Sequence, residues 1–132
     1  MISSKSHYAL IAMLDIVIHS NSLVTIKEIS KRQDISQKYL EQVISLLVKN
    51  NLLRSYRGNN GGYSLVKNKD EYNVYEIISA VDGEIKFEFD HNILSTLWAD
   101  YTKYNREYLE SIKLTKLIEK YNEQNEIYSY YI

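Results

Sequence analysis

The stretch Thr25–Leu65, TIKEISKRQDISQKYLEQVISLLVKNNLLRSYRGNNGGYSL, decides the fold. Thr25 and Glu28 have the spacing of a capping box, in which the hydroxyl takes the amide three residues on and the carboxylate reaches back. They open a short helix over about 26–33, with Ile26 and Ile29 on its inner face. The segment QDIS is a tight connection, and Ser36 is placed to cap the next helix. Leu40, Val43, Ile44, Leu47 and Val48 then recur at helical spacing, leaving Lys38, Glu41, Gln42 and Ser45 off the apolar stripe. Last comes RSYRGNNGGYSL, two short β-like pieces around Gly58-Asn59-Asn60-Gly61-Gly62, with Arg57 at the entrance. A plain hairpin needs only two turn residues, so this longer, glycine-built loop asks for a purpose. Short helix, tight turn, longer helix, two-stranded loop is the order of a winged helix-turn-helix.

The flanks fit that centre. SSKSHYALIAMLDIVIHS reads as a largely buried helix over about 4–20, and VYEIISAVDG as an amphipathic helix stopped at Gly83. EIKFEF alternates, and suits either a strand or an extended linker. From Ile93 to about Ile112 a long helix carries Leu94, Leu97, Trp98, Tyr101, Tyr108 and Leu109 toward one side, and a short last helix, KLTKLIEKYNEQ, precedes the tail NEIYSYYI. The fold expected is mainly α with a small β-wing. Residues 1–85 form the winged domain, and 86–132 a helical dimerisation region with a tail.

Charge divides the chain the same way. Residues 1–69 hold ten Lys/Arg against four Asp/Glu, and residues 70–132 hold six against thirteen. A basic half faces a polyanion more readily than an acidic one, and the acidic half suits contacts made away from phosphate. With no cysteine, disulfides, thiolate zinc sites, thiol redox chemistry and Cys-held iron–sulfur clusters are excluded for this chain. His19 and His91 form no metal spacing, so no metal and no cofactor is expected. Neither a P-loop nor a serine-elbow motif is present, and an enzyme is not expected. No apolar run approaches the roughly 18 residues of a membrane span, and MISSKSHYAL lacks the order of a secretory signal, which points to the cytoplasm.

A recognition helix meets base edges in the major groove with its N-terminal residues. Ser36 heads that turn here, and Gln37, Lys38, Glu41 and Gln42 offer the needed groups: Gln for adenine, Glu for cytosine N4, Lys for guanine or phosphate. In the wing, Gly58, Gly61 and Gly62 allow close backbone approach to phosphate, and Arg57 can neutralise a phosphate or enter a narrow minor groove. Tyr56 and Tyr63 would anchor the strand ends. Lys5, His7 and Tyr8, at the start of the first helix, are further candidates for phosphate. The bland alternative is an ordinary solvated helix face and an idle hairpin. The aromatic face of the long helix suits a twofold dimer, which would present two recognition helices to successive major grooves.

KSHYALIAMLDIVIHS, the segment from Ile26 through Leu65, and VYEIISAVDGEI together resemble the Rrf-two family of bacterial transcription regulators, the IscR, NsrR and CymR group. The resemblance is most specific in QKYLEQ and RGNNGGY. It implies a winged-helix homodimer on palindromic operator DNA, and by position it makes Lys38, Tyr39, Glu41, Gln42, Arg57 and the 58–63 loop the DNA contacts. Asn59 and Asn60 stand where the family commonly has Pro or Gly, and Ser6-His7 where Gly-Arg is usual. Many members hold a cluster through three cysteines in the segment that here reads EIKFEFDHNILSTLWADY, which has none. The resemblance is therefore to the cluster-free branch and to its cysteine-metabolism repressor, CymR, which works in complex with cysteine synthase. The end of the tail, Tyr131-Ile132, resembles the C-terminal Ile motif by which partners of that enzyme enter its active site, a credible mode of peptide recognition. Two other readings stay open: the same DNA-binding regulator controlled by a small effector held near the dimerisation helix, and an interaction module that has kept the fold and lost DNA binding.

Overall fold

The computed structural model describes residues 2–131, with side chains to residue 126. In chain order it has α1 (Ser4–Ile18), α2 (Ile26–Gln33), α3 (Gln37–Lys49), β1 (Leu53–Tyr56), β2 (Gly62–Leu65), α4 (Val74–Asp82), α5 (Ser95–Glu110) and α6 (Leu114–Tyr131). It is mainly helical with a two-stranded antiparallel sheet.

Local chemistry sets most boundaries. Ser3 caps α1 by accepting from the Ser6 amide. At α2 the capping box closes in both directions, the Glu28 amide on Thr25 Oγ1 and the Thr25 amide on Glu28 Oε1, each at 3.1 Å. The turn between α2 and α3 is tight because Asp34 takes the left-handed conformation, φ 54°, at the end of α2. Two residues on, Ser36 caps α3, accepting from the Tyr39 amide at 3.2 Å.

The core follows from these helices. Ala9, Ala12, Met13 and Ile16 of α1 meet Ile29 of α2, Leu40, Val43, Ile44 and Leu47 of α3, and Ile77 and Ile78 of α4, all fully buried. Tyr72 joins them as a polar peg. Its hydroxyl donates to the Leu52 carbonyl at 2.9 Å and accepts from the amides of Val66 and Lys67. One side chain thus ties both ends of the β-hairpin to the approach to α4.

The hairpin pairs Leu53 with Leu65 through Tyr56 with Gly62. A rung outside the expected pattern extends it: Val24 and Tyr63 exchange both backbone hydrogen bonds, at 3.0 and 2.8 Å. The wing is therefore tethered to the residue pair that leads into α2.

Beyond Gly83, which ends α4 at φ 78°, residues 84–90 form an extended linker rather than a strand. A 3-10 turn at Asn92–Leu94 delays α5 to Ser95. The last helix is not short: α6 runs from Leu114 to Tyr131. With no proline and no glycine after Gly83, nothing in the local sequence halts it. The break between α5 and α6 is made from outside. The Val74 amide donates to the Ile112 carbonyl at 2.9 Å and the Leu114 amide to the Tyr72 carbonyl at 3.1 Å. Leu109 and Leu114 enter the same core as the winged half.

Candidate DNA-binding surface

The first turn of α3 presents Ser36, Gln37, Lys38, Glu41 and Gln42 as exposed side chains around a capped helix end. The helix dipole adds partial positive charge at that end. Among the described residues Lys38 is engaged in no ion pair, and the same holds for Arg57. A cation held by no internal partner is free to meet phosphate.

Tyr39 is placed differently from its polar neighbours. It is half-buried and meets Tyr8 of α1 edge-on, with ring centroids 5.0 Å apart, and Tyr8 in turn meets His7 at 5.5 Å. Both tyrosines pack against the core, so their rings brace the head of α3 on α1. Lys5 remains exposed on the outer side of α1.

In the wing, Arg57, Gly58, Asn59 and Asn60 form the exposed tip. Gly58 sits at φ 103°, a conformation that disfavours any side chain. Gly61 and Gly62 have a different reason to be glycine: a Cβ at Gly61 would overlap the Tyr56 carbonyl oxygen, and one at Gly62 would lie 2.9 Å from the Val24 carbonyl oxygen. Gly62 and Tyr63 belong to β2 and face Val24, so they anchor the wing from behind instead of lying at its tip. For Tyr63 this is the strand-end anchoring role expected of it, and Gly62 shares it. Tyr56 stands exposed beside Arg54, whose hydrogen bond holds the Tyr56 hydroxyl below its usual pKa.

One group that fixes the surface was not foreseen. Asp15, with its side chain fully buried in α1, accepts from Arg32 Nε and Nη2 at 3.0 and 2.8 Å and from Gln33 Nε2 at 2.9 Å, both at the end of α2. Burial opposes its ionisation, but the hydrogen bonds from Arg32 and Gln33 and the Arg32 charge outweigh it and hold the carboxyl below its usual range. The signal was a lone carboxylate in an otherwise apolar helix. At the other end of α1, Ser3 and Ser6 donate to Asp82 of α4. Burial opposes ionisation there too and is again outweighed, so the Asp82 carboxyl is also lowered.

The α5 face divides in two. Leu94, Leu97, Tyr101 and Tyr108 are exposed, and Tyr104 and Ile93, passed over in the sequence, are exposed with them. Trp98 is half-buried against Phe89 of the linker, and Leu109 is only 9% exposed, packed into the protomer's own core. Leu109 therefore does not belong to an open face. Of the tail pair, Ile132 lies outside the described residues and Tyr131 outside the described side chains.

A capped helix with an exposed polar first turn, beside a basic glycine-built wing on a helical body, defines a winged helix-turn-helix DNA-binding protein. The profile of the Rrf2 family, described as an iron-dependent transcriptional regulator, matches residues 2–120. The HTH-type transcriptional regulator IscR of Pectobacterium atrosepticum is 40% identical over 128 residues, covering 89% of this chain and 78% of that protein. Among solved structures, IscR of T. potens matches with TM-score 0.79 and 35% identity, over 94% of this chain and 90% of that one. CymR, the global cysteine regulator of B. subtilis, matches with TM-score 0.79 and 30% identity, over 91% and 97%. The chain belongs to the Rrf2 family, and is a DNA-binding transcriptional regulator of that family, not an enzyme.

The profile's description raises iron. A cysteine-held cluster needs thiolates, and this chain has no cysteine. Among the described residues no group of three or more His, Asp or Glu could hold a metal ion either. The residues present do not fit such a cluster. No helix of the described residues is long and apolar enough to cross a membrane.

Proposed function

We propose that this chain is a homodimeric repressor that reads palindromic operators through the first turn of α3 and the wing, without an iron–sulfur cluster. The observation that carries it is that exposed Lys38 and Arg57, neither in an ion pair, stand on supported elements, Lys38 on the Ser36-capped turn of α3 and Arg57 on a wing tethered through Val24–Tyr63. On this reading Gln37, Glu41 and Gln42 read base edges, Lys5 and Lys38 reach the backbone, and Arg57 with Gly58-Asn59-Asn60 approaches phosphate or the minor groove. Two copies are joined along the exposed stripe of α5.

Cysteine or sulfur genes are the leading target, through a complex with cysteine synthase made by the tail. The likeness to CymR, named a global cysteine regulator, supports this. Control by a small effector is the second reading, favoured by a pocket between the linker and α5.

The test is binding of the dimer to its own upstream DNA across a salt titration. Lys38→Ala and Arg57→Ala should each weaken specific binding by about 1–3 kcal/mol and, where the lost contact is to phosphate, flatten the salt slope by about one unit. If neither change alters affinity, the recognition surface is misplaced and the interaction-module reading takes over. Strengthening by added cysteine synthase, lost on deleting residues 131–132, would support the sulfur reading. Indifference to the enzyme sends control to the pocket.

A further inference from the structure

The linker that leaves α4 does not run free. The Phe87 amide donates to Thr102 Oγ1 of α5 at 3.0 Å, and Thr102 in turn donates to the Trp98 carbonyl at 2.8 Å. Pinned there, the linker lays Phe89 against Trp98, with centroids 5.0 Å apart, and Phe87 edge-on to Tyr101 at 4.5 Å. Between linker and helix lies a half-open pocket of about 410 Å³, of the size that takes a small ligand. Phe87, Phe89 and Trp98 wall it, Ala99 and Thr102 form its floor, and Glu84, Lys86 and Glu88 line its rim.

The rim carries more negative than positive charge. Glu84 is shared by Lys86 and Arg106, each at 3.6 Å, whereas Glu88 has no ion-pair partner among the described residues. An aromatic wall with an unneutralised carboxylate at its edge is the arrangement that attracts an organic cation, since ring faces carry negative charge and indole is the strongest of them. An anion would meet Glu88, and a neutral ligand would leave it unused.

The pocket touches the exposed stripe only through Tyr101, which meets Phe87 and Trp98 edge-on from behind the wall. With 3.6 residues per turn, Ser95, Trp98, Ala99 and Thr102 centre about 140° round α5 from Leu97, Tyr101, Tyr104 and Tyr108. Pairing along the second row leaves the first open. The site sits at a joint as well: Arg106, one turn beyond Thr102, reaches Glu84 and covers the Tyr75 ring of α4 at 4.8 Å.

We propose that this linker–α5 pocket binds a small organic cation, an aromatic or alkylated ammonium compound, as the effector of the regulator. The effector role rests on the DNA-binding reading above; the binding site itself does not. Trp98 is the only tryptophan in the chain, so its fluorescence reports this site alone. The experiment titrates the full-length protein with benzyltrimethylammonium, the uncharged N,N-dimethylbenzamide and the anion phenylacetate, at constant ionic strength. The cation should change Trp98 emission saturably, about tenfold more tightly than the amide, and phenylacetate should not bind. Glu88→Gln should weaken the cation several-fold and leave the amide unchanged, while Phe89→Leu weakens both. Unchanged far-UV dichroism in each variant would show that the fold is kept. No saturable change with the cation, or equal affinity for cation and amide, overturns the site. Because the readout needs no DNA, a chain that binds the cation but no operator would keep the site and remove only the regulator reading.

Discussion

At the scale of single residues, Asp15 carries the sharpest expectation. Its buried carboxylate accepts from both Arg32 and Gln33 at the α1–α2 contact, and Arg32 is partly open to water, which discounts the interaction below that of a fully enclosed pair. Asp15→Asn should cost about 2 kcal/mol, read as a lower urea midpoint at unchanged slope. The sign with pH follows from the lowered native pKa. Asp15 contributes its full share above the unfolded-state value near 4, and loses it as pH falls through the lower native value. The gap between wild type and Asp15→Asn should be widest at neutral pH and close in acid. The lone carboxylate in the apolar run was visible beforehand, but its partners were not, because a contact seventeen positions away leaves no periodic mark. Ser36, Thr25 and Glu28 were legible because capping is local: donor and acceptor lie within three residues.

At the scale of elements, the helix-turn-helix was readable almost to its ends, and the wing was readable as a loop but not as a tethered one. The Val24–Tyr63 rung lies between residues far apart in sequence, so no local pattern announces it. It changes what a wing mutation does. Gly61→Ala forces the turn against the Tyr56 carbonyl, and the strain must pass into β1 and β2. Operator affinity should fall at least as far as in Arg57→Ala, while thermal stability drops by only a few degrees. A loss of binding with no change in hydrogen exchange at Val24 and Tyr63 would contradict that account. The two C-terminal helices were the hardest to bound. Their break was placed at about Ile112, but its cause is backbone pairing to residues 72–74, and the length of α6 has no stop signal to mark it.

At the scale of the whole molecule, the charge division sets a basic winged half against an acidic half that carries the exposed α5 stripe, and the proposed dimer would give each a face of its own. Tyr104, at 61% exposure, and Leu97, at 53%, lie where a second copy would seal them. Leu97→Glu with Tyr104→Glu should convert a dimer into a monomer by sedimentation, keep the circular-dichroism spectrum, and remove cooperative operator binding. A double variant that still sediments as a dimer would place the interface elsewhere. The exposure of Leu97 and Tyr101 fits the open face expected of α5. Leu109 was expected on that face, but it stands about 110° round α5 from it, in the row of Trp98 and Thr102, and packs into the protomer's own core.

The backbone pairing of residues 72–74 with 112–114 has a consequence for anyone wishing to reuse this regulator. Cutting the gene after residue 85 looks reasonable, since the linker begins there. Yet the cut removes Leu109 and Leu114 from the shared core and leaves the Val74 amide without its acceptor. A fragment ending at 85 should aggregate or bind apolar dyes, and a chimaera that borrows another sensor half must carry a matching seam at these three positions. The winged half and the C-terminal helices are one casting, joined by a stitch that runs against the order of the chain.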